Sequence, residues 1–187
     1  INGDGNLYWN GGMRLAFASA MKKGYNYYLW LNDDTILYPH TIRTLVSTAY
    51  SVSDNIKLQP LVIGSTKSIN GSTTYGGLVK TSFWRPLKFN LVVPKDIPVE
   101  CDTMNGNCVL ITEFIASKLG NLDENFIQMI GDVDYGLRAK HSGIRIFVMP
   151  EYAGQCEKNL PHNTFNDNKL SIRIRLNLLL GKKGLPL

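Results

Sequence analysis

The stretch Tyr25-Asn26-Tyr27-Tyr28-Leu29-Trp30-Leu31-Asn32-Asp33-Asp34-Thr35 reads as a strand that runs into an acidic turn. From Tyr25 to Leu31 aromatic and apolar side chains follow one another without alternation, the pattern of a strand covered on both faces of a mainly parallel sheet. The acids then fall at the carboxyl end of that strand, where open α/β sheets bind their ligands. Adjacent carboxylates at a strand end repel each other and lose solvation, so they need a cation or capping donors, and a hard divalent ion such as Mg²⁺ or Mn²⁺ suits them. The competing reading makes Asp34 or Thr35 a turn residue or helix cap ahead of Pro39.

On the amino-terminal side, Gly11-Gly12 precedes Met13, Leu15, Ala16, Ala18, Ala20 and Met21 at helical spacing, and Gly24 closes the run. A glycine pair opening a helix offers free amides to a phosphate, with Arg14 adding a fork of donors. The alternative is a glycine turn that packs Trp9 against the sheet. On the other side Pro39 stands at the start of a helix predicted to run to Ser53, and Leu61 to Gly64 reads as a second strand. From Asn70 to Thr112 the composition turns to Gly, Thr, Ser, Pro and aromatics, with extended runs at Tyr75 to Val79, Phe89 to Val93 and Asn107 to Ile111. Helices are predicted at Glu113 to Leu119 and Asp132 to His141, a strand at Arg145 to Met149, and an amphipathic helix from Lys169 to Leu180.

The second acidic constellation is Asp123-Glu124-Asn125-Phe126 followed by Asp132-Val133-Asp134-Tyr135-Gly136-Leu137-Arg138. Residues two apart on a helix do not share a face, so Asp132 and Asp134 have separate tasks. Asp134 stands four before Arg138, the favourable order for a helical ion pair. Asp132 is either the N-cap of its helix or a functional carboxylate beside the ligand edge. His40, His141 and His162 are too scattered to form a metal triad.

With 187 residues, 44% of them hydrophobic, one domain spanning 1–187 is expected. No apolar run approaches the ~20 residues of a membrane-crossing helix. Three cysteines without Cys-x-x-Cys spacing fit a reducing cytoplasm. The net charge of +5 gathers late, at Lys169, Arg173, Arg175, Lys182 and Lys183. No nucleic-acid-binding signature accompanies it; phosphate-bearing small molecules, or a membrane surface met by the basic C-terminal helix, are the better partners.

In order and spacing, these segments resemble inverting glycosyltransferase family 2, whose members have the GT-A fold, a Rossmann-like α/β architecture. Asn6 to Gly12 is similar to that family's segment before the helix, Leu29 to Thr35 to its metal motif, Asn105 to Ile111 to its acceptor-side strand, Leu122 to Ala139 to its catalytic-aspartate loop, and Ile144 to Pro150 to the strand that follows. The nearest likeness is to bacterial rhamnosyl- and galactofuranosyl-transferases of cell-surface polysaccharide assembly. The resemblance implies a nucleotide-sugar donor and a glycan or lipid-linked acceptor, with the enzyme cytoplasmic or peripheral at the inner face of the membrane. It makes Asp34 the metal ligand, sets Asn32 and Asp33 at the donor, Asn105, Gly106, Asn107 and Trp84 on the acceptor side, and makes Asp132 the catalytic base. Two departures stand out: Gly131 precedes the base where an acid is usual, and Cys156 falls near the place of a metal-binding histidine, a role for which His162 is the remaining candidate. A non-catalytic sugar- or nucleotide-binding module, or a glycosidase pairing Asp34 with Asp132, are the rival readings. The resemblance also implies that strands holding the nucleotide base precede Asn6 and that a tail follows Leu187, so the donor pocket is expected to be incomplete.

Overall fold

In the computed structural model, which describes residues 1–3, 5–82, 84, 88–128, 130–159 and 167–180, the predicted strand before the aspartates is present as Tyr27–Leu31. In chain order the elements are α1 (Tyr8–Met21), β1 (Tyr27–Leu31), β2 (Ile36–Leu37), α2 (Thr41–Ile56), β3 (Leu61–Lys67), β4 (Thr73–Tyr75), β5 (Gly77–Lys80), β6 (Phe89–Leu91), β7 (Val99–Cys101), β8 (Thr103–Met104), β9 (Cys108–Thr112), α3 (Glu113–Leu119), α4 (Gly131–His141), β10 (Ile146–Gln155) and α5 (Ile172–Leu180). One sheet follows the path β1-β9-β3-β10-β2, with β4 on β3 and β7 on β10; β6, β5 and β8 form a separate antiparallel sheet.

The expectation of a mainly parallel sheet is corrected. Among the described residues only β3 and β10 pair in parallel, because β9 lies between β1 and β3 and runs against both. That insertion leaves β1, β3 and β10 pointing the same way, so their carboxyl ends still share one edge. It also brings the amino end of β9 to that edge, with Leu31 opposite Cys108 and the Asn32 amide donating to the Asn107 carbonyl at 3.1 Å.

Both faces of β1 are covered, though unequally. Tyr28 and Trp30 enter the larger apolar cluster with Phe17 and Tyr135, while Tyr27 and Leu29 pack on the smaller cluster around Leu45, Val62 and Met149. Phe17 meets Tyr28 and Trp30 edge-on, with centroids 5.5 and 5.3 Å apart, and Trp30 lies 4.7 Å from Tyr135. Such aromatic contacts contribute about 0.5–1.5 kcal/mol each beyond area burial, and here they lock α1 and α4 onto β1.

Two helix expectations need revision. α1 begins at Tyr8, entered at a φ of 51°, and the Gly11 amide donates to the Leu7 carbonyl at 3.1 Å, so Gly11 and Gly12 lie within the helix rather than opening it. In α5 Ile172, Ile174, Leu176 and Leu178 alternate with Arg173, Arg175 and Asn177; a period of two spreads apolar groups around a helix, and all four remain exposed instead of forming one stripe. Among the described residues no helix is long and apolar enough to cross a membrane.

Candidate functional site

β1 delivers Asn32 to Thr35 into a tight turn in which the Thr35 amide returns to the Asn32 carbonyl at 3.2 Å. Asp33 and Asp34 are exposed there, while Thr35 is buried. The turn is held against β10 through β2, where Ile36 and Leu37 pair with Gln155 and Gly154. A Cβ at position 154 would lie 2.1 Å from the Ile36 carbonyl oxygen, so glycine is what permits this approach. The result sets Cys156 beside the aspartates: its Sγ lies 3.6 Å from Asp34 Oδ1 and accepts from Asn107 Nδ2 at 3.6 Å. Desolvation raises the Cys156 pKa, opposed by the nearby Thr35 hydroxyl and reinforced by the Asp34 charge. Tyr75, whose hydroxyl accepts from the Asn159 amide at 2.9 Å, lies close enough to feel both Asp34 and Cys156, although burial is the main reason its own pKa is raised.

Asp132 is not the helix cap. Ile130 takes the N-cap position with a φ of 68°, and Asp132 falls in the first turn of α4. Its carboxylate accepts from the Gly106 amide (Oδ2, 2.8 Å) and from the Val133 amide (Oδ1, 2.8 Å). Burial nevertheless dominates and raises its pKa, with the amides and the Asn105 side chain pulling the other way. A carboxylate poised upward by desolvation is a better proton acceptor near neutral pH than an exposed one. Asp134 behaves as its spacing predicts: Arg138 Nε donates to it at 2.8 Å, and the same guanidinium donates to the carbonyls of Leu119 and Asn121.

Gly106 joins the two acidic centres. A Cβ there would come within 2.5 Å of the Trp9 ring and 3.2 Å of Asp132 Cβ, so the backbone passes between them only as glycine. Trp9 Nε1 in turn donates to Asn32 Oδ1 at 2.8 Å. A continuous chain of contacts therefore runs from Asp132 through Gly106 and Asn107 to Cys156 and Asp34. Asn105 is tied to the same strip by donating its amide to the Gly76 carbonyl at 2.9 Å.

Some sequence-predicted residues lie elsewhere. The phosphate-cradle reading of Gly11 and Gly12 loses the Gly11 amide to the helix ladder, and Arg14 pairs with Glu124 at 3.0 Å. Trp84 is 88% exposed in the loop between β5 and β6. His162 lies outside the described residues.

Asn10, which the sequence presents only as part of the glycine segment, is fully buried, and its Nδ2 donates to the carbonyls of Asp123 (2.9 Å) and Phe126 (2.5 Å). It pins the loop that leads to Asp132. A Cβ on residue 131 would sit 1.9 Å from Asn10 Oδ1, which is why glycine precedes Asp132. The signal in the sequence was an asparagine inside a helix start, a residue type that favours caps over interiors.

Asp34 and Cys156 are metal-ligating in type and lie within reach of each other; among the described residues no cluster of three histidine, cysteine or acidic groups converges. An exposed acidic turn beside that sulfur fits a divalent ion that takes its remaining ligands from a bound diphosphate or water. A hollow of about 340 Å³ lies at the opposite end of β1, lined by Asn26, Tyr27, Tyr50 and Glu113, away from this chemistry. Convergent polar groups and the half-buried, desolvated carboxylate of Asp132, rather than depth, mark the candidate site.

A scan against protein families matches none, and no curated protein matches. Among solved structures the chain is similar to GalNAc-T7 with UDP, GalNAc and Mn²⁺, at 13% identity and a TM-score of 0.55, over 78% of this chain and 30% of that one. The likeness shows the glycosyltransferase fold, of the GT-A kind, and the chain spans less than a third of the neighbour's length.

Proposed function

We propose that this chain is the acceptor-side and metal-motif portion of a glycosyltransferase that moves a sugar from a nucleotide-sugar donor to a hydroxyl of a glycan or lipid-linked acceptor, with inversion. The observation that carries the reading is the line of contacts from Asp132 to Asp34 along one sheet edge. It sets a desolvated carboxylate and an exposed acidic turn on either side of the Gly106-Asn107 backbone.

In this scheme Asp132 takes the proton from the acceptor hydroxyl as that oxygen attacks the anomeric carbon in line with the departing diphosphate. The Gly106 and Val133 amides hold the two carboxylate oxygens in fixed directions, and Trp9 keeps Asn32 turned toward the donor side. Asp34 would hold a divalent ion, which would supply positive charge against the charge that grows on the leaving group. The separation of roles also favours transfer over glycosidase chemistry, since an exposed aspartate in an acidic turn suits a cation better than a shared proton. A cytoplasmic enzyme, peripheral at the inner membrane face through the basic residues from Lys169 onward, in bacterial cell-surface polysaccharide assembly, is the setting this reading favours. One domain spanning 1–187 is part of the same proposal.

Asp34→Ala is expected to abolish Mn²⁺-dependent binding of a nucleoside diphosphate in calorimetry while leaving thermal melting close to wild type, because the residue is exposed. Unchanged binding would remove the metal motif from the proposal.

A further inference from the structure

We propose that the cation site of this chain is a mixed carboxylate and thiolate site, in which Asp34 Oδ1 and Cys156 Sγ together hold a thiophilic divalent ion of the Zn²⁺ or Co²⁺ kind. The inference rests on the transferase reading for its location and goes beyond it in naming a sulfur ligand and the class of metal.

The distance between the two atoms is the first ground. With metal–sulfur and metal–oxygen bonds of about 2.3 and 2.1 Å, a tetrahedral ion separates its sulfur and oxygen ligands by about 3.6 Å, whereas a right-angled arrangement would bring them to about 3.1 Å. The observed separation is 3.6 Å. At that separation the thiol donates to the carboxylate, and an ion that replaces its proton finds the two atoms at tetrahedral spacing, held by the β2–β10 pairing that Gly154 permits.

The company Cys156 keeps is the second ground. Cys101 and Cys108 belong to the two apolar clusters and have their pKa values pushed up to about 12 mainly by burial, as expected of packing residues. Cys156 is as deeply buried but belongs to neither cluster. Its sulfur instead faces Asp34, the Asn107 amide and the Glu157 carbonyl, the last at 3.7 Å. A sulfur that merely filled space would not be ringed by polar groups.

Thr35 is the third. It is 9% exposed, and its hydroxyl makes no hydrogen bond of normal geometry, although it lies near enough to Cys156 to act on its charge. A buried hydroxyl that makes no hydrogen bond of normal geometry is costly, and this one lies against the sulfur. A ligand between Thr35, Cys156 and Asp34 would meet it.

With these two ligands from the described residues, the oxygens of a diphosphate or water can complete the coordination shell. Thiolate shifts the preference of such a site away from Mg²⁺ and toward Zn²⁺, Co²⁺ or Cd²⁺.

The test is titration of the protein with Co²⁺, alone and with UDP, followed by absorption. Wild type is expected to develop a sulfur-to-cobalt charge-transfer band in the near ultraviolet. Cys156→Ser should lose that band and weaken Co²⁺ binding by roughly tenfold or more, at least the loss typical of groups that support a metal ligand. Asp34→Asn should weaken binding comparably. Cys156→Ala and thermal melting guard against a folding defect, and the Cys156→Ser variant keeps Cys101 and Cys108 as internal controls for stray thiol binding. If Co²⁺ binds through Asp34 with no such band and Cys156→Ser binds it equally well, the sulfur ligand is overturned while the transferase reading stands. If wild type binds no cation with or without UDP, both the mixed site and the metal motif fall.

Discussion

Asp132→Asn is expected to lower turnover by about 10²-fold or more with donor affinity little changed, because base catalysis acts in the transition state rather than in binding. The substitution keeps the shape of the side chain but leaves only one oxygen for the amides of Gly106 and Val133, which now occupy both. One of those amides would face an NH₂ group, a loss on the order of 1–3 kcal/mol, offset in part because a charged carboxylate no longer has to be desolvated. Melting is therefore expected to move far less than turnover. Asp134→Asn is the control: it weakens the bond from Arg138 and with it the hold on Leu119 and Asn121, and trims stability while sparing turnover. The base must be ionised to work, so wild-type activity should fall as pH drops through the Asp132 pKa, and because burial raises that value the acid limb should lie above the ordinary aspartate range near about 3.9. The same shift means that ionising Asp132 opposes folding, so its contribution to stability is greatest below the unfolded pKa and is lost as pH rises through the folded one. Near-normal turnover in Asp132→Asn, or a dead Asp134→Asn, would move the base elsewhere.

Asn10 and Gly131 should prove strongly coupled. Gly131→Ala drives a methyl group onto Asn10 Oδ1, and overpacking of this kind costs about 1–3 kcal/mol. Asn10→Ala strips the part-buried carbonyls of Asp123 and Phe126 of this donor, at about 1 kcal/mol for each hydrogen bond lost. In the double variant the alanine at 131 finds the space that Asn10 vacated, since the three nearest atoms to its Cβ all belong to Asn10. The combined destabilisation in denaturant unfolding should therefore fall short of the sum by about 0.5–3 kcal/mol, the range for residues in direct contact. Strict additivity would mean that the two residues do not share that space.

Much of the site was legible because local chemistry and fold point the same way at its two acidic centres. The aromatic run before Asn32 does end at a sheet edge, and the Asp134–Arg138 pairing and the bounds of α3 follow from spacing alone. What was not legible depends on non-local placement. Nothing in Cys108 to Thr112 announces that β9 will slip between β1 and β3, since an apolar run pairs as well in either direction; that insertion turned an expected parallel sheet into a mixed one. Gly11-Gly12 reads as the entrance to α1, whereas the packing of Trp9 on Gly106 and the burial of Asn10 draw the helix back to Tyr8. Gly131 looked like a missing acid; its neighbour Asn10, over a hundred residues away in the chain, supplies the steric reason. Cys156 looked like a substitution near a metal ligand, and only the β2–β10 pairing shows how close it comes to Asp34.

The most direct test of sugar transfer is release of nucleoside diphosphate by the protein against a panel of nucleotide sugars with glycan and lipid-linked acceptors. The account predicts release from one donor that depends on acceptor and on a divalent ion, and that falls by about 10²-fold in Asp132→Asn. Release that is equally fast in Asp132→Asn, or donor binding without release from any member of the panel, would contradict it.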